Sequence, residues 1–300
     1  MKHNYIPILS NWRTMFATAG VLVLSLALAR AETEETLKKS FTVKPGGQLV
    51  VEVDFGAIEV TTRAGDQVSI HVVRRVSRGT KADEEAFLQD RPVTLSQEGN
   101  TVTVHSKAES KNAWSWKGRQ RVEGKYTIAL PAQFNARLKT SGGDIEVSDV
   151  QGELNVNTSG GRIELRGGGG SLNGHTSGGS IAVKSFRGPV RLGTSGGNIS
   201  VEDVMGKVEG STSGGSVSAS LPALSDSVKL TTSGGSVTLR VPADAAFDLD
   251  ASTSGGGASS ELPVTMTGKK SHDHLKGAVN GGGKPVMLRS SGGSVRVKKI

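Results

Sequence analysis

Asp144 and Glu146 stand on alternate positions just after a Gly-Gly pair, and Arg162 and Glu164 fill the same slots eighteen residues later. Two carboxylates converging on one face are what polysaccharide cleavage requires, one as acid and one as base or nucleophile. The series then continues as Ser180/Ala182, Asn198/Ser200, Ser216/Ser218 and Ser236/Thr238. The acids gather at one end beside Arg162, which makes an ion-pair ladder the simpler reading. Calcium-binding rolls also use eighteen residues per turn, but they need an acidic oxygen at each one. Here the residue after Gly-Gly is Asp144, Arg162, Ser180, Asn198, Ser216, Ser236, Gly257 or Ser294. His272-Asp273-His274 could share a cation along a strand, yet spacing supplies no third ligand, and a solvated loop tip is expected instead. There is no Ser/His/Asp set, phosphate loop or nucleotide fingerprint. The expectation is therefore no catalytic residue, no metal and no cofactor.

Trp114 and Trp116 lie among Lys107, Lys111, Lys117, Arg119 and Arg121. Aromatics interleaved with cations can stack on sugars or sit at an anionic interface. The simpler reading is that alternate residues of an edge strand pack on a flank while the basic ones stay solvated. Trp114, Trp116, Lys117 and Arg119 are the candidate binding residues on the first reading. A flat Ser/Thr/Asn face over residues 180–238 is the other candidate surface.

The elements that position these groups repeat. Thr-Ser-Gly-Gly begins at 140, 158, 176, 194, 212, 232 and 253 and returns as Ser-Ser-Gly-Gly at 290. The steps are 18, 18, 18, 18, 20, 21 and 37 residues. A fixed period near twenty marks a repeat architecture. Within one unit Ile145 and Val147 alternate with polar residues, then Leu154 and Val156 do the same, so each unit reads as two short strands with one buried face. Structural corners are assigned to Gly142, Gly143, Gly160, Gly161, Gly178, Gly179, Gly196, Gly197, Gly214, Gly215, Gly234 and Gly235, with a second corner at Gly152, Gly170, Gly188 and Gly206. Glycine suits corners because it enters positive φ without a Cβ clash. Val150, Phe186 and Val204 precede three of the second corners and should tuck inward. Counting by twos from Leu154 points the motif threonines inward as well, where their hydroxyls can bond from coil to coil. One unit cannot bury its apolar face alone but stacked units can. The expected fold is mostly β, a β-solenoid or β-helix of about 18-residue coils, with a β-rich lead-in and one short helix.

The organisation expected is a signal peptide over 1–31, a lead-in over 32–139 and the solenoid over 140–300. In the lead-in, residues 32–39 should fray. Phe41/Val43 and Leu49/Val51/Val53 suggest a hairpin across Pro45-Gly46-Gly47. Phe55-Gly56-Ala57-Ile58-Glu59-Val60 is a faint copy of the repeat, with Val68, Ile70 and Val72 as its partner strand. Thr80-Lys81-Ala82-Asp83 resembles a capping box opening a helix to about Gln89, placed to cover an end or edge of the sheets. Segments at 93–95, 102–104 and 126–130 should complete a meander.

Lys2 and Arg13 flank a largely apolar stretch at 15–29, and Ala29-Arg30-Ala31 fits a small-x-small cleavage site. The apolar core is short for a span of roughly 20 residues. A cleavable signal is expected, with cleavage near Ala31, export to periplasm, cell surface or exterior, and no transmembrane segment in the mature form. The chain has no cysteine, which excludes disulfides, thiol chemistry and a lipid-modified cysteine. Its formal charge of +8 falls by three when the basic residues of the signal are removed. The remainder reads as mild and spread out, tolerating an anionic glycan or lipid surface without pointing to nucleic acid.

The octets Thr-Ser-Gly-Gly-Asp-Ile-Glu-Val at 140 and Thr-Ser-Gly-Gly-Asn-Ile-Ser-Val at 194, with their downstream Gly-x-apolar-x-apolar, resemble the bacterial "putative adhesin" β-strand-repeat family. The resemblance covers about residues 40–300, including Tyr126-Thr127-Ile128-Ala129-Leu130-Pro131 and Asn280-Gly281-Gly282-Gly283. That family is a domain of unknown function. The resemblance implies a β-solenoid and carries no catalytic residues over. The expected function is a secreted or envelope-associated adhesin-like binding or scaffold protein, its partner an unknown envelope, glycan or protein surface. The alternative is a carbohydrate-active enzyme on a β-helix scaffold.

Overall fold

The computed structural model describes residues 32–108, 121–267 and 271–300. The lead-in holds β1 (Glu32–Thr42), β2 (Gly47–Val53), β3 (Ala57–Thr62), β4 (Gln67–Ser77), α1 (Lys81–Asp90), β5 (Thr94–Glu98), β6 (Thr101–Ser106), β7 (Arg121–Leu130) and β8 (Phe134–Lys139). The repeats give β9 (Ile145–Ser148), β10 (Gln151–Asn157), β11 (Ile163–Arg166), β12 (Gly169–Thr176), β13 (Ile181–Lys184), β14 (Val190–Thr194), β15 (Ile199–Glu202), β16 (Val208–Thr212) and β17 (Val217–Ser220). Then follow β18 (Val228–Thr232), β19 (Val237–Val241), β20 (Phe247–Thr253), β21 (Ala258–Ser260), β22 (Val264–Met266), β23 (His274–Val279), β24 (Lys284–Ser290) and β25 (Val295–Lys299).

From β8 to β19 the chain alternates between two sheets, and each strand pairs in parallel with the strand one coil away. Ile145, Ile163, Ile181 and Ile199 stack in register on one sheet, opposite Leu154, Leu172, Val190 and Val208 on the other. These inward positions are at most 3% exposed, and one apolar cluster runs from Phe41 to Val297 between the sheets. The protein is a β-solenoid, and period-two alternation with one face hidden is what builds it.

The motif threonines are buried, and their hydroxyls do two jobs. Thr158 Oγ1 donates to the carbonyl of Gly143 in the preceding coil at 3.0 Å and accepts from the Gly161 N–H of its own coil at 3.3 Å. The same pair of bonds recurs at Thr176, Thr194, Thr212 and Thr232. Coil-to-coil bonding therefore runs from hydroxyl to backbone, satisfying polar groups that would be costly to bury alone.

The glycines of the Thr-Ser-Gly-Gly corners serve a different purpose from the one expected. No glycine of the Thr-Ser-Gly-Gly pairs has positive φ. Instead, a Cβ on the second glycine would overlap the backbone of the same glycine one coil earlier, as at Gly161, Gly179, Gly197 and Gly215, whereas the first glycine of those coils, Gly160, Gly178, Gly196 or Gly214, meets nothing closer than 3.4 Å. Close stacking selects the second one. Positive φ does occur at the other corner, as expected, in Gly170, Gly188 and Gly206 but not in Gly152, and also in Asp149, Ser185 and Asp203. Val150, Phe186 and Val204 follow those last three and are buried. At the corresponding Gly168 a side chain would strike Val150, which is why that slot is not apolar.

At both ends the winding departs from sequence order. The stack in the first sheet runs β1-β4-β7-β3-β9, and in the second β5-β6-β2-β8-β10. Strand β3 does act as a coil, pairing Ile58 and Val60 with Ile145 and Val147. Its other neighbour is β7, not the 68–72 segment, which lies in β4 beyond it. The expected β1–β2 hairpin is absent, because Pro45-Gly46-Gly47 carries the chain across to the other sheet as any coil corner does. Likewise β5 and β6 pair antiparallel, but β7 lies in the opposite sheet, so no meander forms. Residues 32–39 do not fray: β1 pairs with β4 along its whole length, and Glu35 holds the fully buried Arg74. Helix α1 opens with the Thr80/Asp83 capping box and lies against β1 and β4, with the Phe87 ring tilted against Phe55 at 5.6 Å.

At the far end the order is β17-β19-β25-β21 in one sheet and β16-β18-β24-β20 in the other. The last coil of the sequence is slotted between the two before it. Ser290 Oγ donates to Gly235, and Thr253 Oγ1 donates to Gly293. The 37-residue step is thus a return path, through the antiparallel β22–β23 pair that covers the sheet edge.

Candidate functional site: a polar groove on the second sheet

Parallel in-register stacking turns every outward slot into a column running along the solenoid, with a rise of about 4.8 Å per coil. On the second sheet one column carries Arg137, Asn155, Asn173, Arg191, Glu209 and Lys229. Beside it lie Glu153 and Ser171, then Pro189 and Lys207. Between them runs a shallow groove of about 160 Å³, floored by the backbone at Leu154, Leu172 and Val190.

The groove is held by its own polar network. Asn173 Nδ2 donates to Asn155 Oδ1 at 3.5 Å, and Asn155 Nδ2 donates to Glu153 Oε1 at 3.2 Å. Glu209 is gripped by Lys207 at 2.6 Å and Arg191 at 2.8 Å. The Lys207 hydrogen bond, helped by the charges of Arg191 and Lys229, holds the Glu209 carboxyl below its usual range, against the opposing pull of burial. A carboxylate kept ionised does not serve as a general acid near neutral pH. What the groove offers is an array of fixed donors and acceptors along the axis. Asn155 and Asn173 were not singled out from the sequence, although they share one slot eighteen residues apart and Arg191 and Glu209 continue it.

The residues that were singled out fall elsewhere. Trp114, Trp116, Lys117 and Arg119 lie outside the described residues. Glu146 and Glu164 sit on the first sheet, stacked with Glu59 in adjacent coils. Glu59 is paired with Lys125 at 2.7 Å, and Glu164 accepts from Arg166 Nε at 2.8 Å. The slot after Gly-Gly has a structural task. Asp144, Ser180, Asn198, Ser216 and Ser236 each accept, through the side chain, a backbone N–H of the next coil. That explains a short acceptor there, and it commits the Asp144 carboxylate to the Arg162 N–H at 2.7 Å.

The two histidines diverge. His272 packs beside Gly257, while His274 Nε2 meets Asp250 Oδ1 at 3.1 Å, with Arg289 on the other oxygen at 2.9 Å. Burial alone would raise the Asp250 pKa, but the His274 hydrogen bond and the Arg289 charge bring it below its usual value. Among the described residues no group of three His, Cys, Asp or Glu is placed to hold a metal ion. Among the same residues no helix is long and apolar enough to cross a membrane.

Stacked parallel coils enclosing one apolar core, with columns of polar side chains outside, define a two-sheet β-solenoid. The chain belongs to the Toastrack family, DUF4097, which it matches over residues 48–298. No curated protein matches it. Among solved structures it is similar to a "putative adhesin" from Bacteroides fragilis, 13% identical, with a TM-score of 0.47 over 89% of this chain and 97% of that one. A "putative adhesin" from Parabacteroides distasonis is 13% identical, with a TM-score of 0.43 over 88% and 97%. A "putative lipid binding protein" from the same organism is also 13% identical, with a TM-score of 0.37 over 88% and 96%. Similarity at that level adds no argument to the family match.

Proposed function

We propose that this Toastrack protein is an exported, envelope- or surface-associated binding and scaffold protein whose contact surface is the groove on the second sheet. The observation that carries the reading is the column Asn155–Asn173–Arg191, flanked by Glu153, Lys207 and Glu209 and bonded to itself rather than to a loop. Strands fix such groups at little entropic cost to the bound state. A shallow trough of regularly spaced donors and acceptors suits an extended, hydroxyl-rich chain such as a glycan or cell-wall polymer. Export rests on the sequence pattern over 1–31, which we read as a leader with cleavage near Ala31. The Trp114, Trp116, Lys117 and Arg119 segment is kept as a second contact surface.

Binding is favoured over turnover because the carboxylates beside Glu146 are engaged, Glu59 and Glu164 by cations and Asp144 by a backbone N–H, as is Glu209 on the other face. The test is an array of glycans and cell-wall polymers probed with purified protein. One class of extended polymer should be retained. Asn155→Ala, Asn173→Ala and Arg191→Ala together should cut retention at least about tenfold, with circular dichroism unchanged. Full retention by the triple variant would overturn the groove as the contact surface. Shortening of the polymer, lost in Glu146→Gln or Glu164→Gln, would establish the enzyme instead.

A further inference from the structure

The excess positive charge is not spread out. Residues 229–300 hold ten Lys and Arg against five Asp and Glu, whereas residues 32–228 balance at twenty-three of each. The entire surplus of the chain beyond 31 belongs to the last coils and the segments joining them.

The inserted coil concentrates that charge. On the first sheet, cations between β7 and β13 are neutralised on the spot: Lys125 by Glu59, Arg166 by Glu164, and Lys184 by Glu202 at 3.1 Å. Wound in sequence order, Arg240 would lie beside the Ala258–Ser260 strand and the Glu261 that follows it. Insertion of β25 places Lys298 next to Arg240 and Arg296 next to Thr238. Glu261 is instead turned to the backbone N–H of Lys299 at 3.0 Å. Among the described residues, Arg240, Arg296 and Lys298 have no carboxylate partner, and all three project from the solvent face of their strands. Like charges at ladder spacing repel, so the arrangement favours an incoming counter-charge. Ile300, 64% exposed, stands alongside, its N–H bonded to Val241.

We infer that this end of the solenoid docks on an anionic phospholipid surface. The patch is flat, since it lies on strands with small neighbours Ser236, Thr238, Ser259 and Ser294, so it has no cavity to close around a lone anion. A bilayer presents phosphates in a plane and attracts several cations additively. The guanidinium forks of Arg240 and Arg296 match phosphate oxygens, and the exposed Ile300 side chain follows Lys298 and Lys299 as an apolar contact. The groove lies on the opposite sheet and stays free when this face is engaged.

The test is co-sedimentation of the purified protein with vesicles of phosphatidylcholine, alone or mixed with phosphatidylglycerol. Binding is expected only to the mixed vesicles, and it should be abolished near 1 M salt, where screening shrinks to about 3 Å. Arg240→Glu, Arg296→Glu and Lys298→Glu together should weaken it at least about tenfold. Lys38→Glu, Lys44→Glu and Lys81→Glu, an equal charge change at the other end, should leave most of it. If the first set disturbs folding, Arg296→Gln with Lys298→Gln should still weaken binding severalfold. Equal loss in both sets, equal binding to neutral vesicles, or retention on an acidic polysaccharide without vesicle binding would each overturn the inference. The Asn155/Asn173/Arg191 variant should keep vesicle binding, so failure here and failure of the groove are told apart.

Discussion

In the middle of the molecule, from β8 to β19, the next strand in the sequence is also the next coil in space. At the ends it is not: β6 and β7 stack outside β2 and β3, and β24 and β25 slide between coils that precede them. The two regions obey the same local chemistry. Ser290 makes the hydroxyl-to-glycine bond that Thr176 makes, and Val295 packs in the column of Val237. The ladder thus recognises matching side-chain slots and free backbone groups, and is indifferent to how long the chain took to return. Loop closure grows only slowly more costly with length, so a 37-residue step can reach any exposed coil edge whose slots fit. The middle coils, joined by corners too short to skip a neighbour, have no such choice.

The largest expected effect separates the regions directly. Excising residues 176–193 removes one middle coil and leaves its neighbours in register, so cooperative urea unfolding should survive with a lower midpoint. Ending the chain after Gly283 removes the inserted coil and leaves β19 and β21 without a shared partner, and the cooperative transition should be lost. A truncated chain with the parental midpoint would show that insertion contributes nothing to the stack.

Next comes close stacking in the middle. Gly179→Ala drives a Cβ into the Gly161 carbonyl and should cost about 3 kcal/mol or more, while Gly178→Ala meets its nearest atom at 3.7 Å and should be nearly silent. Equal midpoint shifts would mean that conformational freedom, not coil contact, selects the motif glycines.

A smaller effect compares hydroxyls. Thr176→Val leaves the Gly161 carbonyl and the Gly179 N–H without their partner and should cost about 1–3 kcal/mol. Thr176→Ser should be much milder, and Ser290→Ala should match Thr176→Val if the inserted coil is held the same way.

The smallest is a pH effect. Glu209 in the middle and Asp250 at the inserted end both have folded pKa values below their ordinary 4.5 and 3.8. Such groups stabilise the fold above those ordinary values and lose that contribution as pH falls through the lower folded ones. The melting temperature should hold down to about pH 5 and then fall. Glu209→Gln and Asp250→Asn should each flatten part of that fall, both modestly because the carboxylates are partly exposed.

Much of this is legible in the sequence itself. The recurring Thr-Ser-Gly-Gly and the alternation of Ile145, Val147, Leu154 and Val156 are statements about which side chains must be hidden, and hiding them admits few arrangements. The Thr80 capping box is equally local. The groove was not read, because Asn155 and Arg191 look like ordinary solvated strand residues until parallel register aligns them. Nor was the cationic patch, since Lys298 and Arg240 are far apart in sequence.

The amino-acid sequence alone determined that the chain must coil, which residues turn inward and where each coil bends, because these follow from period, size and polarity over a few neighbouring residues. Only the tertiary structure decided which coil touches which. Backbone ladders carry no address of their own, so the order of coils at the two ends depends on which edges remain free when the chain returns. The groove and the charged end both depend on that order.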